Sequence, residues 1–223
     1  MTAEISNVER IYIQVRKMAI GFDFKPDAPL NESNLARKLG TSRTPLREAL
    51  NRLVAEGFLA FKKGQGFSCR PLDPQSVLDL YETRMAIESE GVKLAVLRAS
   101  DADFHSIRTF IKKSEEAYCS ASPVDILVAL DEEFHMRLLR LSHNQELERI
   151  LTNLNARLRY IRWIDMEERK HLAGSDHLKI LEMLEQRDAN RAYEAIREHI
   201  KRRREEAAEA VRRAYSRLYV PTI

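Results

Sequence analysis

The sequence predicts a mainly α-helical protein of two domains, and three observations support this prediction. Five of the seven glycines and five of the seven prolines fall at or before Pro74, so the rest of the chain has few helix breakers. Residues 1–73 contain 12 Lys and Arg against 8 Asp and Glu, whereas the rest contains 25 against 26. Apolar residues recur at three- and four-residue steps in both parts. We therefore expect a small basic domain over 1–73 and an all-helical bundle over 74–223.

Composition excludes several classes of protein. The chain has 223 residues, of which 44% are hydrophobic and 32% charged, as in ordinary globular proteins rather than disordered chains. No uncharged apolar run approaches the roughly 18 residues of a membrane span, and no basic segment precedes an apolar one at the N-terminus. Cys69 and Cys119 form no Cys-x-x-Cys motif. These features predict a cytoplasmic protein without a membrane partner.

The first two helices follow from apolar spacing. Six apolar residues between Val8 and Ala19 share one face of a helix that should end near Gly21. A loop with two prolines follows. A short helix then begins near Asn31, and Gly40 supplies the left-handed residue that closes it.

A third helix opens within two residues of Gly40. Ser42 or Thr44 can cap it, and Pro45 is tolerated in its first turn, where a missing N–H is harmless. Two short helices joined by a glycine-containing turn predict a helix-turn-helix. After Gly57, two short β-prone runs flank the basic segment 62–66, which predicts a β-hairpin with a flexible tip.

Arg43 and Arg47 lie four residues apart and therefore share one face of this third helix. Arginine can bind guanine O6 and N7 with two hydrogen bonds, while Ser42, Thr44 and the free backbone N–H groups of the helix start can hold phosphates. The alternative is that both arginines only solubilise the surface and pair with neighbours such as Glu48. Because the turn, the cap and the hairpin occur together, we expect a DNA-binding module.

The segments 29–32, 35–53 and 56–57 resemble the winged helix-turn-helix of GntR-family bacterial transcription regulators, most specifically in the run Ser42-Arg43-Thr44-Pro45-Leu46-Arg47-Glu48-Ala49-Leu50. The resemblance implies that Arg43, Thr44 and Arg47 contact operator bases and that Gly66 approaches the minor groove at the wing tip. Ser33 departs from the arginine found there in many members. One recognition helix covers few base pairs, so we expect a homodimer on an inverted repeat of double-stranded DNA.

The helical part is predicted to contain six helices, at 75–98, 101–119, 124–142, 145–169, 175–187 and 189–217. Four polar residues fall on their apolar faces: Asp131, His135, His177 and His199. Burying such groups without partners costs roughly 1 to 3 kcal/mol each. Each histidine alone could be a hydrogen-bonded core residue. Together with the carboxylate, they form an N3O donor set for a divalent ion, with zinc preferred over nickel, manganese or iron.

The spacing of these residues is similar to the metal motif of the FCD effector domain in FadR-type GntR regulators. The matching residues are Asp131-x-x-Phe134-His135, Asn144, His177 and His199, and the resemblance extends over most of 74–217. It implies a regulator whose DNA affinity responds to a small organic acid.

Arg84 lies on the predicted buried stripe of the first helix of this part, with Val77, Leu80, Ile87, Gly91 and Leu94. Two interpretations remain open. Arg84 forms an intrahelical pair with Glu88, or it binds the carboxylate of an effector beside the metal, as the matching arginine does in many FCD domains. Arg157, Arg159, Tyr160 and Arg162 could also reach such a cavity.

Two other functions compete with ligand sensing. A metal with open positions could activate water in a hydrolase-like enzyme, but no further side chain is placed as a general base, and neither Gly-x-Ser-x-Gly nor a P-loop occurs. Alternatively, the helical part only dimerises and the metal is structural. We expect a regulator and not an enzyme.

Overall fold

The computed structural model describes residues 6–119, 122–169, 173–201 and 204–219, which are mainly helical as predicted. Contacts divide the chain into two compact units, one of residues 1–73 with 215–223 and one of residues 74–214. No helix within the described ranges has the length and hydropathy to cross a membrane.

The first unit begins with three helices that have the predicted order. The Ser6 hydroxyl accepts the N–H of Glu9 at the start of α1, and the Asn31 side chain accepts the N–H of Asn34 at the start of α2. Gly40 has a φ of +60°, as the predicted turn before α3 requires. The helices are α1 Asn7–Ile20, α2 Glu32–Lys38 and α3 Arg43–Ala55.

A two-stranded antiparallel wing follows, formed by β1 Leu59–Lys62 and β2 Gly66–Cys69. Lys62 pairs with Gly66 at its tip, where Gly64 and Gly66 have φ values of +84° and +81°. These positive values favour glycine because a Cβ would be strained there. The predicted hairpin and the winged helix-turn-helix are thus present.

The second unit is all helical in its described residues, but the last predicted helix is wrong. The expected helix at 189–217 ends at Ile200, and Lys201 has non-helical backbone angles, with a φ of −51° and a ψ of 130°. No glycine or proline marks this end, so the sequence pattern could not reveal it. The helices that follow residue 73 are α4 Pro74–Arg98, α5 Asp101–Cys119, α6 Val124–Arg140, α7 Gln145–Arg169, α8 Ala173–Glu185, α9 Ala189–Ile200 and α10 Arg204–Tyr219, of which α10 extends from the second unit into residues of the first.

The buried face of α4 agrees only in part with the predicted stripe. Val77, Arg84 and Gly91 are buried as predicted, whereas Leu80, Ile87 and Leu94 are only half-buried. Gly91 packs against α6 so closely that a Cβ built on it would lie 2.1 Å from Leu139 Cδ1. The other buried residues of α4 were not predicted, namely Tyr81, Glu88, Ser89, Val92, Ala95 and Val96.

Candidate functional site

The start of α3 presents the four predicted DNA-contacting side chains to solvent: Ser42, Arg43, Thr44 and Arg47. No acidic residue lies in the first turn, so nothing there opposes the positive end of the helix dipole. Ser42 occupies the N-cap position, but its hydroxyl makes no capping hydrogen bond. This end of α3 is therefore suited to phosphate oxygens.

The two arginines pair with residues of α2 and not with Glu48. Arg43 Nη2 donates to Ser33 Oγ over 2.6 Å, and Arg47 Nε lies 3.5 Å from Glu32 Oε2. The Arg47 side chain is 55% exposed, and such surface pairs contribute about 0 to 1 kcal/mol. Both guanidinium groups can exchange these partners for base edges at little energetic cost.

The four predicted metal ligands meet in the second unit. Asp131 and His135 project from α6, His177 from α8 and His199 from α9. One donor atom from each lies within 4.8 Å of the others. His177 Nε2 is 3.1 Å from Asp131 Oδ1, and His135 Nε2 is 3.8 Å from the same oxygen. His135, His177 and Asp131 are buried, and His199 is partly buried.

The donor chemistry of this histidine cluster (Asp131, His135, His177 and His199) fits a cation. His135 Nε2 and His199 Nε2 face each other over 3.3 Å. Their Nδ1 atoms face carboxylates, that of Glu88 at 2.5 Å for His135 and that of Asp176 at 3.8 Å for His199. If both Nδ1 atoms carry protons, the lone pairs of the two Nε2 atoms point at each other and repel. A cation bound between the two Nε2 atoms would interact favourably with both lone pairs.

The separations within the cluster are close to those of a metal site. Zinc binds nitrogen and oxygen at about 2.0–2.2 Å, so two ligand atoms of a tetrahedral site lie about 3.3–3.6 Å apart. The pairs His177 Nε2–Asp131 Oδ1 at 3.1 Å and His135 Nε2–His199 Nε2 at 3.3 Å are already near this range, and the widest pair, within 4.8 Å, must close by about 1 Å. A dication would therefore be held by Asp131, His135, His177 and His199.

Burial keeps the ring of His135 neutral. It lowers the pKa of His135 to about 3, although Glu88 opposes the shift. Burial also lowers the pKa of His177, against the influence of Asp131. Burial would raise the pKa of Asp131, but Arg162 and His177 lower it well below its ordinary value. At neutral pH Asp131 is thus a carboxylate and the rings of His135 and His177 are neutral, which are the protonation states that bind metals.

The contacts of Arg84 agree with both interpretations of its sequence position. Its Nε donates to Glu88 Oε1 over 2.5 Å, so the intrahelical pair is present. Its Nη2 atom is buried and has no hydrogen-bond partner among the described residues. Burial would raise the pKa of Glu88, but Arg84 and His135 lower it to about 2, so Glu88 is a carboxylate at neutral pH. The free Nη2 can donate to an anion.

Arg162, from the predicted α7 group, contacts the histidine cluster. It is buried and donates through Nη2 to Asp131 Oδ2 and through Nη1 to Asn155 Oδ1 at 3.1 Å. Arg159 instead pairs with Glu132 at 2.5 Å. The sequence pattern did not choose between these arginines, because all lie on the long α7 and only its packing against α6 selects one.

Tyr118 near the end of α5 was not predicted as a site residue. Its hydroxyl is buried without a hydrogen-bond partner among the described residues. Burial, followed by the charge of Asp131, raises its pKa. A tyrosine at a helix end gives no sequence signal of this kind.

Family comparisons match both parts of the chain. The model described as "Bacterial regulatory proteins, gntR family" matches residues 7–68, and the model described as "FCD domain" matches residues 79–202. The Nta operon transcriptional regulator of Aminobacter aminovorans is 38% identical over 202 residues, which cover 91% of this chain and 95% of the relative. The HTH-type transcriptional repressor GlaR of Escherichia coli is 29% identical, covering 80% and 85%.

Solved structures show the same fold. E. coli McbR/YncC superposes with a TM-score of 0.64 at 20% identity, covering 97% of this chain and 98% of its own. A GntR-family transcriptional regulator from Pseudomonas syringae gives a TM-score of 0.53 at 24% identity, covering 93% and 86%.

Proposed function

Because the chain belongs to the GntR family of bacterial regulatory proteins and contains an FCD domain, we propose that it is a cytoplasmic, ligand-responsive transcription regulator. Its family and its relatives are transcriptional regulators, not enzymes. In this proposal, residues 1–73 bind an operator, and the helical part from residue 74 onward binds a divalent ion and a small carboxylate and dimerises. The observation with most weight is the convergence of Asp131, His135, His177 and His199 within 4.8 Å.

The DNA interface is proposed to consist of the exposed start of α3 and the wing tip. Arg43 and Arg47 reach base edges, Ser42 and Thr44 hold phosphates, and Gly66 lets the backbone approach the minor groove. Lys62 and Lys63 are exposed beside this tip and add charge toward the phosphates.

The effector is proposed to be a small organic carboxylate. When bound, the divalent ion supplies a Lewis-acidic, positively charged partner for a carboxylate oxygen. Arg84 Nη2 is a second donor, buried and free of partners among the described residues. A dication with the Arg84, Arg159 and Arg162 guanidiniums carries five positive charges against the four negative charges of the Asp131, Glu88, Glu132 and Asp176 carboxylates, so the site favours an anion. Zinc is the first candidate ion, and nickel, manganese and iron follow.

Homodimerisation is supported by an apolar ridge on α4. Leu80, Ile87 and Leu94 are half-buried at seven-residue spacing, and Leu97 is 78% exposed one turn later. Residues seven apart lie on the same helix face, so these leucines and Ile87 form a continuous stripe. A second copy of the chain would cover it, and the dimer would match the symmetry of an inverted-repeat operator.

DNA recognition is tested by selecting duplexes from a random pool and measuring affinity for the selected operator. Arg43→Ala or Arg47→Ala should cost about 1 to 3 kcal/mol and relax the base preference at one position. Lys17→Ala, an exposed residue of α1, removes the same charge away from α3 and serves as the control. Unchanged base preference in both arginine variants would contradict the interface.

Metal and effector binding are tested by elemental analysis of purified protein, with mass spectrometry of any small acid carried with it. About one divalent ion per chain is expected in the wild type, and much less in His177→Ala. The visible spectrum of the cobalt-substituted protein shows whether the bound ion has a coordination position open to exchange. If neither azide nor acetate changes that spectrum, the metal has only a structural role.

A further inference from the structure

Glu88 links the histidine cluster to Arg84 through one carboxylate. Its Oε2 atom lies 2.5 Å from His135 Nδ1, and its Oε1 atom lies 2.5 Å from Arg84 Nε. The Glu88 side chain is 2% exposed, and His135 and Arg84 are buried with it. Glu88 is one helical turn after Arg84 on α4, whereas His135 belongs to α6.

We propose that Glu88 is a positioning residue of the metal site: it accepts the Nδ1 proton of His135 and so holds Nε2 toward Asp131, His177 and His199. This inference rests on the metal binding proposed above. A histidine that binds a metal through one nitrogen commonly donates its other N–H to a carboxylate, which fixes the tautomer and the ring orientation.

The division of the two carboxylate oxygens argues against a simple counter-ion for Arg84. A glutamate that only neutralised a guanidinium would favour a paired contact of both oxygens with two of its nitrogens. In this structure Glu88 Oε2 contacts His135 Nδ1, and Arg84 Nη2 has no hydrogen-bond partner among the described residues. The geometry around Glu88 therefore favours orientation of the imidazole over complete satisfaction of the arginine.

The other contacts of the His135 ring are weaker. Phe134 contacts it edge-on at 5.3 Å and His199 stacks on it at 5.2 Å, and neither ring contact distinguishes Nδ1 from Nε2. His135 Nε2 lies 3.3 Å from His199 Nε2 and 3.8 Å from Asp131 Oδ1, both longer than the 2.5 Å from Nδ1 to Glu88 Oε2. The hydrogen bond to Glu88 does distinguish the two nitrogens. In a glutamine at this position, the amide oxygen is held by the Arg84 Nε donor and the NH2 group faces His135 Nδ1. That arrangement favours the other tautomer, in which the proton on Nε2 blocks the metal-binding lone pair.

The first test measures Co²⁺ affinity of the full-length protein by chelator competition, together with the visible spectrum of the bound ion. Glu88→Gln should weaken Co²⁺ binding by about 10- to 100-fold. Glu90→Gln makes the same substitution at an exposed position of the same helix and should change the affinity by less than about 2-fold. Wild-type affinity in Glu88→Gln would overturn the proposal while leaving the metal site itself intact.

Two further measurements guard against simple misfolding. The double variant Arg84→Met/Glu88→Leu removes the buried guanidinium together with the acceptor, and it should fold yet still bind Co²⁺ at least about 10-fold more weakly than wild type. Long-range ¹H–¹⁵N spectra of the metal-free wild type, with His135 assigned through His135→Gln, should show the proton on Nδ1. A proton on Nε2 overturns the proposal. Absence of Co²⁺ binding in the wild type would overturn the proposed metal site, and this inference with it.

Discussion

His135 is the residue in which burial affects protonation most directly. Burial lowers its pKa to about 3, whereas the unfolded chain titrates near the reference value of about 6.5. Glu88, Asp131 and Arg84 are the charged groups that act on it. Between these two pKa values the unfolded chain binds the proton and the folded chain does not, so the free energy of unfolding falls as pH falls through this window.

We predict that chelator-treated protein loses stability between pH 7 and pH 5, as measured by urea unfolding. His135→Gln should show a shallower loss, and His105→Gln, at an exposed position on α5, should behave as wild type. The low pKa of Glu88, about 2, and the lowered pKa of Asp131 confine their contributions to more acidic conditions. An identical pH slope in His135→Gln and wild type would exclude His135 as the cause.

Glu32 restrains Arg47 in the protein without DNA. Its carboxylate lies 3.5 Å from Arg47 Nε and places a negative charge beside the base-contacting face. Glu32→Gln should therefore strengthen operator binding by about 2- to 5-fold at low salt, with a smaller gain as salt rises. Fluorescence anisotropy at two salt concentrations measures both effects. Weaker binding would show that Glu32 positions Arg47 productively for DNA.

At the residue scale, sequence periodicity predicted the convergence of the histidine cluster but not its surroundings. Its four members are polar residues at positions where the helical pattern is otherwise apolar, and the sequence alone shows this: Asp131, His135, His177 and His199. The division of the Glu88 carboxylate between Arg84 and His135 depends on how α4 packs against α6. Likewise, the bond between Arg43 and Ser33 depends on the crossing of α2 and α3.

At the scale of elements, the close contact of α4 with α6 sets the orientation of the site. Gly91 allows Leu139 to approach, and Arg84 and Glu88 are buried on the same helix. The sequence predicted the bounds of α4 within one residue and the burial of Val77, Arg84 and Gly91, but it did not predict the burial of Glu88. A glycine inside a helix indicates a close approach without indicating which neighbour approaches.

Gly91→Ala tests this contact. Alanine would gain up to about 1 kcal/mol of helix propensity, but its Cβ would lie 2.1 Å from Leu139 Cδ1 in a filled interior. Because overpacking typically costs about 1 to 3 kcal/mol, we expect net destabilisation in urea unfolding. Glu90→Ala, at an exposed position of the same helix, should be nearly neutral. Stabilisation by Gly91→Ala would show that Leu139 moves aside freely.

At the scale of the whole molecule, the apolar ridge on α4 predicts the oligomeric state. Leu97→Asp places a charge at the most exposed apolar position of the ridge and should convert a dimer to monomers at micromolar concentration. Operator affinity should fall with it. Ile126→Asp is the matched control, because Ile126 is 48% exposed on a different helix. Sedimentation equilibrium measures both variants, and a dimeric Leu97→Asp would place the interface elsewhere.

The central claim is that a small carboxylate bound beside Arg84 and the histidine cluster changes DNA affinity. The most direct measurement titrates zinc-loaded protein on its selected operator with a panel of small mono- and dicarboxylates, and follows fluorescence anisotropy. We predict that a member of the panel shifts operator affinity by about 5- to 150-fold in the wild type. The shift should be lost in Arg84→Ala and in His177→Ala. A response that persists unchanged in both variants would contradict the account.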